Sequence, residues 1–313
     1  MAVQARGYKG LLTVDYEKDF GKANKTKAGY RLPFNENSVE QKQTLIDAAT
    51  ITGTRNDVQP AMGRKDVSGA LVVPMDYDAF GFWLKAILGE PQTSGDGAKT
   101  HVFTVGDDQP SFTIEKAMPD VKKYFQYLGC KVNTLGIEFG QDSEMTANVE
   151  VLGAERIISD NAYNESAPAI PLNRINQFHA DIKINGKQSR IVREGSIELA
   201  AGLDGDQYVV GGGGVRGDIP EGLFKASGNI SALFNDLEMM KWADEGTAVS
   251  MEIIFTHKDC SLSFLFPTVQ IEPTDAPIKG SAGVTLDAKW RAYSADASTS
   301  LVTITLKNKQ AKY

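Results

Sequence analysis

The feature that most constrains this chain is its rhythm: short apolar runs with two-residue alternation, broken repeatedly by glycine and proline. Phe112-Thr113-Ile114-Glu115 alternates in this way, as do Leu135-Gly136-Ile137-Glu138-Phe139 and Ala147-Asn148-Val149-Glu150-Val151. Ile182-Lys183-Ile184, Ile197-Glu198-Leu199, Ser250 to Phe255 and Leu301 to Leu306 continue the pattern. In each run alternate side chains enter a core while the others face water or a partner. With 30 glycines and 12 prolines to make turns, the chain is predicted to be mainly β, with flanking α-helices.

Two segments carry helical spacing instead. After Asp76, the stretch Tyr77–Leu88 places Phe80, Trp83, Leu84, Ile87 and Leu88 on one face. Asp76 is expected to cap the start, Gly89 to end the helix and Pro91 to prevent its return. In the second half Asn235 is expected to open a helix over 236–245, closed by Gly246. Phe80, Trp83, Leu84, Met239 and Trp242 are the predicted core anchors.

The two segments align without a gap. Ser68-Gly69 falls on Ser227-Gly228, Asp76 on Asn235, Phe80 on Met239 and Trp83 on Trp242. Farther along, Thr134-Leu135-Gly136-Ile137-Glu138 resembles Thr268-Val269-Gln270-Ile271-Glu272, so extra residues are expected in the first half, around Gln92–Gln109. The alignment predicts two tandem β-sandwich or barrel modules from an internal duplication. The expected boundaries are 1–33 for an N-terminal arm, 34–165 for the first module, 166–174 for a linker and 175–313 for the second module. Each half also has a long polar excursion, over about 47–66 and 203–222, too long for an idle connector. These are expected to be hairpins that reach another subunit. Thr50, Ile51, Thr52 and Arg55 on the first, and Tyr208, Val209, Val210 and Gly213 on the second, are the candidate assembly residues.

Composition argues against several function classes. The 313 residues carry 33 Lys and Arg against 40 Asp and Glu, a net charge of −7. Tight phosphate binding rests on excess cations, so a nucleic-acid groove is not expected. Cys130 and Cys260 cannot form a disulfide framework and suit a reducing compartment. The start Met1-Ala2-Val3-Gln4-Ala5-Arg6 lacks the apolar stretch of a secretion signal, and no apolar run is long enough to cross a membrane. The expectation is a protein that stays in the cytosol that made it and does not bind membranes.

The motifs that suggest chemistry each have a plainer reading. Gly212-Gly213-Gly214-Val215-Arg216-Gly217 fits G-x-G-x-x-G, but Pro220 and Gly222 follow where a phosphate-binding helix would have to begin. Asp204-Gly205-Asp206 lacks the glutamate of a calcium loop and reads as a turn. His257, Asp259 and Cys260 could be imagined as a catalytic group on a β scaffold, yet sequence neighbours at a strand turn seldom face one another. The aromatics Phe80, Phe82, Trp83, Tyr124, Phe125 and Tyr127 read as core without a cationic surplus to make a base-stacking surface. No catalytic residue, metal site or cofactor is predicted.

Tyr30-Arg31-Leu32-Pro33-Phe34, Leu45 to Asn56 and Asp66 to Gly89 together resemble the tail tube, or major tail, proteins of tailed bacteriophages. Gly7-Tyr8-Lys9-Gly10 with Asp19-Phe20-Gly21 is similar to that family's N-terminal segment, and beyond residue 90 only the order of elements carries the likeness. The resemblance implies a structural virion protein whose subunits join into rings through a continuous inner β-barrel. Rings stack into a tube that conducts DNA during ejection without binding it specifically. Most such rings are hexamers of single modules, so two modules per chain would make a homotrimeric, pseudo-hexameric ring. The implied partners are further copies of the chain, the tape-measure protein, and tail completion, terminator and distal tail proteins. The implied location is the virion tail, assembled in the bacterial host cytoplasm. The rival expectation is a two-domain β-sandwich used for virion decoration or receptor binding.

Overall fold

A computed structural model describes residues 4–140, 142–278 and 280–313; Met1–Val3, the start of the expected arm, lie outside the described residues. The architecture is mainly β, with two short α-helices among the described residues. The first half holds β1 (Leu11–Tyr16), β2 (Tyr30–Leu32), β3 (Glu36–Asn37), β4 (Glu40–Ile46), β5 (Ala61–Pro74) and helix α1 (Phe80–Leu88). It continues with β6 (Gln92–Ser94), β7 (Lys99–Thr104), β8 (Phe112–Met118), β9 (Lys123–Phe139), β10 (Thr146–Gly153) and β11 (Glu155–Ser159). The second half holds β12 (Ala180–Ile184), β13 (Lys187–Ser189), β14 (Val192–Ala200), β15 (Lys225–Leu233) and helix α2 (Glu238–Asp244). β16 (Val249–His257), β17 (Cys260–Ile271), β18 (Thr285–Ala292) and β19 (Thr303–Asn308) complete it.

Among the described residues all strand-to-strand pairings are antiparallel, the single bridge from Arg31 to Ala169 being parallel, and one order of pairing occurs twice. In the first half it runs β2–β1–β8–β9–β10–β5–β4. In the second it runs β13–β12–β16–β17–β18–β15–β14. The register agrees in detail. Val151 of β10 stands between Gly69 and Val132, and Trp290 of β18 stands between Gly228 and Ile271. Ile271 thus stands beside Trp290 as Val132 stands beside Val151, whereas the sequence alignment set Ile271 on Ile137. Repeated β-branched residues make a short alignment easy to slide along a strand, whereas hydrogen-bonded neighbours fix it.

The Ser-Gly pairs have a geometric cause. A Cβ on Gly69 would lie 2.7 Å from the Ser38 carbonyl oxygen, and one on Gly228 would lie 1.9 Å from that of Ser196. The neighbouring strand approaches closely enough that only glycine fits. In both places the serine of that neighbour accepts from the next amide along: Ala70 N–H to Ser38 Oγ at 2.9 Å, Asn229 N–H to Ser196 Oγ at 3.2 Å.

The two halves share one core and are joined along strand edges. β14 pairs with the C-terminal part of β9, from Gly195 opposite Phe139 to Ala200 opposite Thr134. The row β4–β5–β10–β9–β14–β15–β18–β17 is thereby continuous, with four strands from each half. A second junction is made by β19, which lies between β17 and β7. The β6–β7 hairpin that supports it falls within Gln92–Gln109, where the sequence placed its extra residues.

Both helices begin later than expected. α1 starts at Phe80, because Asp76 Oδ1 accepts from the amides of Asp78 (2.7 Å) and Ala79 (2.5 Å) and so holds the turn before it. α2 starts at Glu238, and it is Asp236, not Asn235, whose carboxylate receives the Glu238 amide at 2.9 Å. At the C-terminal ends Gly89 and Gly246 both take positive φ, 98° and 66°, as helix-ending glycines do. Phe80, Trp83 and Leu84 are fully buried and Met239 nearly so. Trp242 differs: it is only half-buried, packed on the core margin.

Candidate assembly surface

The excursions predicted to carry assembly are placed very differently. The first is the far end of the β4–β5 hairpin. Its loop residues Thr50, Ile51, Thr52 and Arg55 all face solvent, and Ile51 is 96% exposed. The hairpin beneath adds exposed Leu45, Ile46 and Met62. Apolar side chains concentrated on one projecting hairpin mark a contact surface more than scattered ones would.

The second excursion crosses onto the first half of its own chain. Tyr208 Oη donates to the Lys65 carbonyl at 3.1 Å, and the Lys65 amide donates to the Gly214 carbonyl at 2.8 Å. Its anchor is Arg216, with a side chain 6% exposed. Arg216 Nη1 donates to the carbonyls of Val67 (2.9 Å) and Gly153 (2.7 Å), Nε to that of Gly205, and Nη2 meets the Asp66 carboxylate. The guanidinium fork thus ties the β5–β10 strand pair to the turn at Gly205. Farther along, Lys131 Nζ donates to the Ile219 carbonyl (2.9 Å) and to Glu221 (2.7 Å), which also accepts the Gln109 amide. Burial would raise the Glu221 carboxyl, but the bonds from Lys131 and Gln109 outweigh it and hold the group below its ordinary value. Val209 and Val210 remain exposed at the tip, and Gly213, with φ of 67°, has open space around it.

Sequence reasoning did not single out Arg216 as an anchor, because its acceptors are backbone carbonyls of distant strands. It also missed Ser38 and Ser196, whose role exists only once the glycine strand lies beside them. The available signal was the repeated Ser-Gly pair, which demanded a close neighbour without naming it.

The motifs set aside for catalysis stay apart. Gly212–Gly217 lies in a loop with positive φ at Gly213 and Gly214, and no helix follows. Asp204 Oδ1 accepts the Asp206 amide at 3.0 Å, a local turn. His257 and Cys260 close the β16–β17 hairpin around Lys258 at φ 53°. The His257 ring stacks on His179 with centroids 4.5 Å apart, and burial pushes the Cys260 thiol up, away from the nucleophilic thiolate. Among the described residues no group of three or more His, Cys, Asp or Glu is placed to hold a metal ion.

What the molecule does present is a polar sheet face with two open ends. Along the continuous row, Glu40 faces Ser68, Glu150 lies between Ala70 and Thr134, and Glu198 between Gly136 and Ser227. Small and acidic side chains dominate this face, with Lys42, Lys289 and Arg291 nearer its ends. No curated protein sequence matches this chain. The family profile described as phage tail tube protein matches residues 7–292, in line with the β architecture and the projecting edges, and the chain belongs to that family of structural tail proteins.

Proposed function

We propose that this chain is the repeating subunit of a phage tail tube, that it is built from two copies of one module, and that three chains form each ring. The observation that carries the reading is the β9–β14 junction. It joins two units of the same strand order edge to edge, which is how successive units of a ring would join. A closed ring removes the strand edges that an isolated sheet leaves unpaired. The module that repeats runs from β1 in the first half and from β12 in the second, and the matched Ser38–Gly69 and Ser196–Gly228 contacts support that equivalence.

In this reading the polar face of the eight-strand row lines the lumen. Its small side chains leave room, and its acidic residues repel DNA in transit, since like charges deny phosphates the cations on which binding rests. The exposed loop tips, Ile51 on one excursion and Val209 and Val210 on the other, contact the next ring. The tape-measure, terminator and distal tail proteins meet the ring faces, and assembly takes place in the host cytoplasm.

Electron microscopy of the purified full chain tests the proposal. Stacked rings with three chains and pseudo-sixfold symmetry are expected. Six whole chains per layer would overturn the trimeric arrangement, and a monomer at every concentration would overturn the tube reading.

A further inference from the structure

The ring reading leaves open which edges meet and in what register, and the internal junction answers both. β14 of the second half and β4 of the first occupy the same place in the repeated order, each as the neighbour of a Ser-Gly strand. The partner of β14 is residues 134–139 of β9. The corresponding stretch of the second half is Glu272–Pro277, which follows β17 and stays beside β18 through the Glu272 amide on the Lys289 carbonyl (2.8 Å) and Thr274 Oγ1 on the Asp287 carbonyl (3.0 Å). No strand of the described residues pairs with its outer edge, or with that of β4.

Resting on the ring reading, we infer that β4 of one chain pairs antiparallel with residues 272–277 of a second copy. The register sets Ser38 opposite Ala276, Glu40 opposite Thr274 and Lys42 opposite Glu272. Three observations support it independently of the topology.

The first is polarity along both edges. The Ser38 amide donates to Ala70, so the odd residues of β4 turn their amides and carbonyls outward; the Glu272 amide donates to Lys289, so residues 273, 275 and 277 turn outward too. Outward groups therefore face outward groups in this register, as they do between Ala201 and Asn133, where the amide meets the carbonyl at 2.8 Å.

The second is the guarding of both edges. Pro273 and Pro277 remove two of the outward N–H groups, and the Lys116 ammonium sits on the outward carbonyl of Val39. Proline and lysine are the residues that keep an edge from pairing indiscriminately. Here they leave the Asp275 amide and the carbonyls of residues 273, 275 and 277 for a partner strand, whose pairing displaces Lys116 from the Val39 carbonyl and Asn37 Oδ1 from the Val39 amide.

The third is charge. In the internal junction the excursion from β14 is anchored by Arg216, paired with Asp66, two residues before Ser68 in β5. Counted back from β5 by the offset that sets Gly69 on Gly228, Asp57 falls on Arg216 and Lys225 on Asp66; Asp57 and Lys225 are both exposed. The pair recurs with its signs exchanged. The projecting hairpin, with its exposed Leu45, Ile46 and Met62, then lies over β15 and β18 of the next chain, as the second excursion lies over β5 and β10.

The test uses tubes assembled from full-length chain carrying E40C and T274C in a Cys260→Ser background. Glu40 and Thr274 lie at opposite ends of one chain's sheet row, so a disulfide between them joins two chains. Mild oxidation is expected to give covalent multimers that end at the closed ring and disappear on reduction. The shifted pairs E40C with E272C, and E40C with A276C, should give few. D57K or K225D alone should lower the assembled fraction about tenfold, and D57K with K225D should restore it. Tubes that form but cross-link in another register, or that the double exchange fails to restore, would overturn this inference while leaving the ring reading intact. A chain that forms no ring at all would overturn both.

Discussion

Helices α1 and α2 occupy the same place in the two halves, yet their tryptophans meet different surroundings. Each helix follows a Ser-Gly strand, and each lies against the long strand of its half, α1 on β9 and α2 on β17. Trp83 is 2% exposed, packed edge-on against Phe112 with centroids 6.3 Å apart. Trp242 is half-buried, and Leu237 just before its helix is 52% exposed. The difference lies in what covers them. α1 is roofed by the chain's last residues: the Tyr313 ring lies 5.1 Å from Phe82 and 4.8 Å from His101, and Lys85 Nζ donates to the Tyr313 backbone oxygen at 2.7 Å. The β6–β7 hairpin holds β19 and hence Tyr313 in place. Only a short turn separates α2 from β16, and no such cover lies over it among the described residues. Equal local patterns thus yield unequal burial when the tertiary roof is unequal.

Trp83→Ala against Trp242→Ala is the sharpest way to break this comparison. The first should cost about 3–5 kcal/mol, the range for a fully buried aromatic. That is a large share of a typical margin of ~5–15 kcal/mol. The second should cost about 1–2 kcal/mol, because part of the ring is already in water. Equal losses in denaturant unfolding would mean that the roof over α1 contributes nothing.

The Ser-Gly contacts test what the halves have in common. Gly228→Ala and Gly69→Ala should each destabilise by about 1–3 kcal/mol through forced strand displacement. Gly228 should be the worse, since its added Cβ meets both Ser196 and Trp290. If either variant melts like the wild type, the close approach is not shared.

Gly81 isolates the roof itself. A Cβ there would stand 2.2 Å from the Tyr313 ring, so Gly81→Ala should expel that ring and cost about 1–2 kcal/mol. In a Tyr313→Ala background the same change should cost little, and a double-mutant cycle measures the coupling. Additive losses would show that Tyr313 does not rest on α1.

A pH slope confined to the first half offers a further comparison. Burial raises the Asp76 carboxyl from 3.8 to about 7, against the anion-favouring bonds from Ala79 and Asp78. The folded chain then holds a proton that the unfolded chain releases, so this group's stabilising contribution is full below about pH 4. It is lost as pH rises towards 7, and the curve is flat beyond. Asp76→Asn should remove that part of the slope in thermal melts from pH 5 to 8; an unchanged slope would assign it elsewhere. Burial also raises Glu17 and Glu115, which act in the same direction and remain in the variant.

Much of the fold was legible because its information is local. Strands such as Ala147–Val151 bury one face only, so their alternation shows in the sequence, and helix α1 shows through a complete apolar stripe. β1 was not legible: Leu12 to Asp15 are buried in succession, so no alternation marks them, and their partner β8 lies about a hundred residues away. The projecting first excursion was legible as a surface feature from its length and polarity. The landing site of the second was not, because Arg216 is held by carbonyls, which every residue possesses.

By itself the sequence determined the class of fold, the tail tube family, the two helices with their glycine stops, and the presence of paired Ser-Gly strands. Each of these follows from the period of side chains along a strand or helix, or from residues that only certain backbone conformations accept. The tertiary structure alone decided the register between the halves, the joining of β14 to β9, the fold-back of the second excursion and the unequal roofs over Trp83 and Trp242. These depend on which distant strands lie side by side, and backbone hydrogen bonds, being chemically alike at every residue, leave no mark on sequence by which to tell one partner from another.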